Sequence, residues 1–204
     1  MKRLISTVGA LTLLTAASAH ALPILDLNSA LALTDPTQQG RLSRNGIPQD
    51  WTGGEAFPGV INPTTTYHYK TYLVNPGSTP FLQIDFDSVS VNTFVSAYDS
   101  FYVPNSAGAP NFGFNTNWLG DAGVSGNFFG VDPLFFQVTV PTGHLLEIVI
   151  NQTAAGTAGI GDPFHLTVEG FLDTEFTDPE PAPEPATMLL TASGLAWLVR
   201  RRRR

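Results

Sequence analysis

Apolar and polar residues alternate along the middle of the chain. Phe164, Leu166 and Val168 alternate with polar residues, and the same period of two runs through 134–140 and 146–150. This period places successive side chains on opposite faces of an extended strand. The pattern therefore predicts strands in these segments, and further strands at 67–74, 81–87 and 89–98, with turns such as Pro141-Thr142-Gly143 between them. No segment from 67 to 176 has a helical apolar stripe with caps.

Six or more short antiparallel strands predict an all-β domain, namely an antiparallel two-sheet β-sandwich or jelly roll over residues 22–176. The composition agrees, because 19 glycines and 16 prolines accompany a charged fraction of only 13%. There is no cysteine. The domain must therefore rely on an apolar core rather than on disulfides.

The N-terminal residues 1–21 predict a secretory signal peptide. Met1-Lys2-Arg3 is a short basic region, a mostly apolar stretch follows over 4–17, and Ala19-His20-Ala21 fits the small-x-small pattern before a cleavage site. Cleavage is expected after Ala21, which predicts export of the rest of the chain. A buried N-terminal helix is the alternative interpretation.

The C-terminal residues 186–199 form an uncharged stretch that predicts a short transmembrane helix. Fourteen helical residues span roughly 21 Å, less than the roughly 30 Å of a bilayer's hydrocarbon core. An acidic, proline-rich linker at 177–185 precedes the stretch and prevents its extension. The five residues after it predict a cytoplasmic C-terminus, with long side chains that recover some of the missing length: Arg200, Arg201, Arg202, Arg203 and Arg204.

The last 22 residues resemble a PEP-CTERM sorting signal. The resemblance rests on Pro183-Glu184-Pro185, on a short apolar helix containing Ser193-Gly194-Leu195-Ala196, and on the terminal arginine cluster at 200–204. It implies cleavage near Pro183, Glu184 and Pro185 by an exosortase, a membrane cysteine protease. It also implies a Gram-negative bacterium that makes exopolysaccharide, with the mature protein at the cell surface or in the biofilm matrix. A permanent tail anchor and a packed core helix are the alternatives.

The net charge of −7 hides an asymmetry. Seven of the ten basic residues lie at the two ends of the chain, whereas residues 26–184 hold 17 acidic and three basic residues, a net charge of −14. An acidic surface repels phosphate backbones, so nucleic acid is not expected as a partner.

The central domain also resembles pre-peptidase C-terminal-type sandwich modules of secreted bacterial proteins. The stretches that carry this likeness are 40–46, 57–59, 67–72 and 118–123. The resemblance implies a non-catalytic accessory or adhesive domain. Any β-sandwich of this composition would share these loose motifs, and that alternative stays open.

The residues give no clear catalytic constellation, so no enzyme activity is expected. His68, His144 and His165 are scattered singly, without zinc-binding spacing, and are interpreted as strand or turn residues. Asp85 and Asp87 are two apart on one predicted strand and must share a face. That pair would suit a polysaccharide hydrolase, which needs two carboxylates, although a solvated strand face is the favoured interpretation.

The loop 121–132 has some of the oxygen ligands of a calcium site. Asp121 and Asp132 fit the first and last ligand positions of an EF-hand-type loop, and Ser125 fits the fifth, but Gly123 leaves the third without a ligand. The loop thus predicts at most an irregular Ca²⁺ site, and no other cofactor is expected. Aromatic residues at 105–129 could stack on sugars, but burial in the core is the favoured interpretation.

Together these observations predict an exported, non-catalytic surface or matrix protein. Its expected partners are an exosortase, the membrane through a transient C-terminal anchor, and exopolysaccharide or other matrix components. The alternative is a secreted polysaccharide-active hydrolase or carbohydrate-binding module.

Overall fold

The computed structural model describes residues 23–44, 56–105, 110–127 and 133–171, and these residues form an all-β protein. The strands run in the order β1 (Pro23–Ala30), β2 (Thr37–Leu42), β3 (Val60–Val74), β4 (Phe81–Ser88), β5 (Thr93–Asp99), β6 (Trp118–Asp121), β7 (Leu134–Thr139), β8 (Leu146–Gln152) and β9 (Pro163–Phe171). One short 3-10 turn, Pro110–Gly113, lies between β5 and β6. The all-β class is confirmed.

The strands form two antiparallel sheets. The four-stranded sheet has the order β1-β9-β4-β7, and the five-stranded sheet has the order β2-β3-β8-β5-β6. Most neighbours are far apart in sequence, with β2-β3 and β5-β6 as the consecutive pairs; among the described strands β1, for example, pairs with β9 alone. The two sheets share one core, because a single apolar cluster takes side chains from β4, β7 and β9 and from β5 and β8.

The period of two explains which side chains enter that core. In β4, Leu82, Ile84 and Phe86 are fully buried, while the residues between them point to the outer face of the four-stranded sheet. Strands β7 and β9 follow the same rule. Burying apolar surface stabilises the fold by about 25 cal/mol per Å². A shift of one residue would move these side chains to the outer face, so their burial fixes the register of each strand.

A second apolar cluster lies on the outer side of the five-stranded sheet. It contains Phe94 from β5 with Leu42 and Phe114, and Phe57 and Trp118 pack against it. Because Val95 and Ala97 enter the shared core, strand β5 is buried on both faces. The predicted strand 89–98 began too early, because Val89 and Val91 alternate with Ser90 as in a strand but are exposed in the turn before β5.

The other predicted strands are confirmed with shifted ends, and three strands were missed. The predicted strand at 67–74 is the second half of β3, which begins at Val60. The missed strands are β1, β2 and β6. Strand β2 has the sequence TQQGRL, in which buried Gln38 and Arg41 give no apolar signal.

Among the described residues, no helix is long and apolar enough to cross a membrane. The predicted signal peptide at 1–21, the transmembrane segment at 186–199 and the sorting residues Pro183, Glu184 and Pro185 lie outside the described residues, as does the arginine cluster at 200–204.

Candidate functional site

The outer face of the four-stranded sheet carries a polar cleft of about 290 Å³. The lining residues come from strands β4 and β9 and from the residue before β7: Asp85, Asp87, Pro133, His165, Thr167 and Glu169. Each strand contributes residues two apart, because only alternate residues point to this face. The cleft thus collects three carboxylates, one imidazole and one hydroxyl on a rigid sheet.

The strand register brings the carboxylates of β4 to the polar residues of β9. Asp85 is paired with Thr167, and Asp87 is paired with His165. Glu169 is two residues beyond Thr167 and so lies diagonally across from Asp85 on the same face. The prediction that Asp85 and Asp87 share one strand face is confirmed.

Asp85 is half-buried in the cleft, and two glutamine amides hold it through a chain of hydrogen bonds. Gln83 Nε2 donates to both Asp85 carboxylate oxygens, at 3.0 and 3.2 Å, and Gln137 Nε2 donates to Gln83 Oε1 at 3.2 Å. Burial raises the pKa of Asp85, the bond from Gln83 opposes that rise, and the charge of Glu169 adds to it. Asp85 is therefore easier to protonate than an ordinary aspartate.

His165 lies between acidic residues of two neighbouring strands. Its Nε2 is 2.7 Å from Asp26 Oδ1 on β1, and Asp87 lies opposite it on β4. The sequence interpretation of His165 as an isolated strand histidine missed these partners, because both lie far from it along the chain.

An exposed aromatic ring borders the same face. Phe135 on β7 is paired with Asp85, and 40% of its surface is exposed. A phenyl ring beside carboxylates offers an apolar platform next to hydrogen-bond acceptors. The sequence analysis placed candidate sugar-stacking aromatics at 105–129 instead; of these, Phe114 is fully buried and Phe112 is 40% exposed, while Phe128 and Phe129 lie outside the described residues.

The other histidines lie away from the cleft. His68 Nδ1 is 3.0 Å from the carbonyl oxygen of Asp35, and His144 Nδ1 is 2.8 Å from Asp99 Oδ1. His144 is in the turn before β8, and His68 is a half-buried residue of β3. Both agree with their interpretation as strand or turn residues.

The calcium prediction concerns the end of β6. Asp121 is only 1% exposed, and its Oδ1 accepts a hydrogen bond from Gly123 N at 2.7 Å. Burial raises the pKa of Asp121 to about 7, and the bond from Gly123 opposes that rise. Asp132, the second predicted ligand, lies outside the described residues. Within the described ranges, no group of three or more histidine, aspartate or glutamate residues is arranged to hold a metal ion.

Comparisons with protein-family models, with curated proteins and with solved structures found no match to this chain.

Proposed function

We propose that this is an exported, non-catalytic surface or biofilm-matrix protein whose β domain binds exopolysaccharide through the cleft on the four-stranded sheet. The observation that carries the proposal is the cleft, where polar side chains surround a space of about 290 Å³ beside the exposed ring of Phe135. Sugar hydroxyls can donate to Asp87 and Glu169, and Thr167 can donate or accept. The apolar face of a sugar ring can pack on Phe135.

We further propose that the two sheets form a jelly-roll β-sandwich. If β2 is set aside, the eight other strands pair first with last: β1 with β9, β3 with β8, β4 with β7, and β5 with β6. Such nested pairing results when a long antiparallel hairpin is rolled up, as in eight-stranded jelly rolls. The shared core supports this arrangement.

The positions of the two ends of the domain support the proposed sorting route. Pro23 at the start of β1 is paired with Glu169 near the end of β9. The signal peptide and the C-terminal anchor would therefore leave the domain side by side, so both could sit in one membrane. The 14 residues 172–185 can reach at most roughly 50 Å. An exosortase cutting at Pro183-Glu184-Pro185 would then act close to the bilayer, outside every described strand.

Processing at both ends predicts the termini of the mature protein. Mass spectrometry of protein recovered from the cell surface or medium is expected to find an N-terminus near Leu22 and a C-terminus near Pro185. Deleting the arginine cluster at 200–204 is expected to stop the second cut. Surface protein that still carries Arg204 would contradict exosortase processing and favour a permanent tail anchor.

Binding at the cleft predicts which variants lose exopolysaccharide. Two changes are each expected to weaken binding roughly tenfold or more. The double variant Asp87→Asn/Glu169→Gln removes two charged hydrogen-bond acceptors, and Phe135→Ala removes the apolar platform. The probe is soluble exopolysaccharide purified from the producing strain, measured by calorimetry. Asp99→Asn is the matched control, because Asp99 belongs to the other sheet and contacts His144.

A hydrolase is the second candidate, favoured by the raised pKa of Asp85 beside Glu169. A carboxyl that takes up a proton more readily than an ordinary aspartate, with a second carboxyl beside it, suits the acid of a glycosidase's carboxyl pair. The same preparations should therefore be assayed for new reducing ends. Release by the wild-type protein that Asp85→Asn abolishes would replace the binding proposal with the hydrolase. Equal binding by the wild type and the cleft variants would contradict both.

A further inference from the structure

Two of the three basic residues between 26 and 184, Arg41 and Arg44, lie close enough to interact and have no acidic partner among the described residues. Arg41, at the end of β2, is only 7% exposed. Its Nη1 donates to the carbonyl oxygen of Leu42 at 3.1 Å, and its buried Nε has no hydrogen-bond partner in the described part of the chain. Buried guanidinium nitrogens normally have hydrogen-bond partners, because a donor that loses water without gaining a partner destabilises the fold.

Gly40 fixes the backbone that positions Arg41. The register between β2 and β3 shifts between Gln39 and Arg41, and Gly40 has a φ of 79° at this irregularity. A Cβ at Gly40 would lie 3.0 Å from Val60 Cγ1 and 3.2 Å from the carbonyl oxygen of Ile61. A built irregularity in the strand therefore directs the arginine into the protein.

Arg44 is the neighbour of Arg41, and it is half-buried. Its Nη1 donates to Oγ of Ser125, a fully buried residue in the segment after β6. Burial lowers the pKa of Arg44, and the nearby charge of Arg41 lowers it further. Arginine nevertheless stays protonated in proteins, so this place holds two positive charges.

No carboxylate among the described residues forms an ion pair with either arginine. The ion pairs in those residues join Lys70 to Asp35, His144 to Asp99 and His165 to Asp26. Lys70, the third basic residue of the region, is thus paired, with its Nζ 3.3 Å from Asp35 Oδ2. Taking two like charges out of water is costly unless an anion compensates them. The domain around them is strongly acidic, and yet neither arginine is paired with a carboxylate in the part of the domain that the structure describes.

We propose that Arg41, Arg44 and Ser125 form a binding site for a dianionic tetrahedral oxyanion, a sulfate or phosphate group. One such group neutralises both guanidinium charges, whereas a single carboxylate would neutralise only one. The free Nε of Arg41 and the Ser125 hydroxyl supply donors, and planar guanidinium groups suit bidentate contacts to oxyanions. Arg44 is partly exposed and opens the site to solvent. The site is separate from the acidic cleft, because its residues belong to β2 and the segments after β2 and β6.

The test is calorimetric titration of the full-length chain in detergent with sodium sulfate, at constant ionic strength set with chloride. Saturable sulfate binding is expected in the wild type. Arg44→Gln and Arg41→Gln are each expected to weaken it roughly tenfold or more. Since Arg44 is half-buried, its variant decides the matter if the variant of buried Arg41 does not fold.

Lys70→Gln is the matched control, because it removes a basic residue that already has Asp35 as a partner; sulfate affinity should stay unchanged. Glucuronate, a monoanion, should bind at least about tenfold more weakly than sulfate if charge balance governs the site. Competition by dextran carrying phosphate monoesters, each of which keeps up to two negative charges, would identify ester groups on a polymer as a source. Failure to compete would identify the free ion; either result supports the site.

Three results would overturn the proposal. The first is sulfate binding no stronger than that of chloride, and the second is equal binding by wild type and Arg44→Gln. The third is a rise in sulfate affinity in Asp50→Asn or Glu55→Gln, two carboxylates of the segment 45–55 that lies outside the described residues. Such a rise would mean that a carboxylate of this chain already occupies the site.

Discussion

Replacing Phe86 by alanine is expected to lower the free energy of unfolding by about 3–5 kcal/mol. Phe86 is fully buried in β4, and its ring centroid is 5.5 Å from that of Phe164 in β9. Phe164 in turn contacts Tyr72 of β3 in the other sheet, with centroids 6.4 Å apart and planes at 78°. The three rings connect the two sheets, so removing the first leaves a cavity in the shared core.

Phe135→Ala is the matched control, because it deletes the same ring from the outer face of the same sheet, where 40% of the residue is exposed. We expect it to change the free energy of unfolding by at most about 1 kcal/mol. Urea unfolding followed by tryptophan fluorescence measures both variants. Equal losses of stability in the two variants would contradict the assignment of Phe86 to the buried inner face and of Phe135 to the outer face of this sheet.

The fold could be predicted from the sequence where one face of a strand is buried and the other face is exposed to solvent. Strand β4 shows this, since Leu82 and Ile84 alternate with Gln83 and Asp85. Strand β5 did not follow the rule, because a second apolar cluster covers its outer face and both of its faces are buried. Strand β2 could not be predicted, for the opposite reason. Its buried residues include Gln38 and Arg41, which make hydrogen bonds to backbone carbonyl oxygens and to a neighbouring side chain instead of packing in an apolar core.

The residues of the candidate site that lie on one strand could be predicted from the sequence, and those that come from a second strand could not. The period of two alone places Asp85 and Asp87 on one face. Glu169 and His165 join them only through the pairing of β4 with β9, about 80 residues later in the chain, and no local pattern specifies which strands become neighbours. Asp121 shows the same limit, because its spacing suggested a surface ligand, whereas packing around β6 buries it.

The burial of Asp121 predicts that the protein loses stability as the pH rises from about 4 to about 7. The pKa of its carboxyl is raised from the ordinary value of 3.8 to about 7 in the folded protein. Between these values the folded state holds a proton that the unfolded state has released, so the free energy of unfolding falls with pH. The stability is fully present below about pH 4, and the loss reaches about 4 kcal/mol above pH 7.

Asp121→Asn should remove this pH dependence, because the amide keeps an oxygen acceptor for Gly123 N but cannot ionise. The measurement is urea unfolding of both proteins at about pH 4 and about pH 8, and the informative quantity is the difference between their pH slopes. Asp85, whose pKa is also raised, contributes a slope of the same sign to both proteins and cancels in that difference. Parallel slopes would contradict a buried, protonated Asp121. The predicted calcium site gives a distinct result: Ca²⁺ would stabilise the wild type at about pH 8 and leave Asp121→Asn unchanged, because only an ionised carboxylate binds the metal.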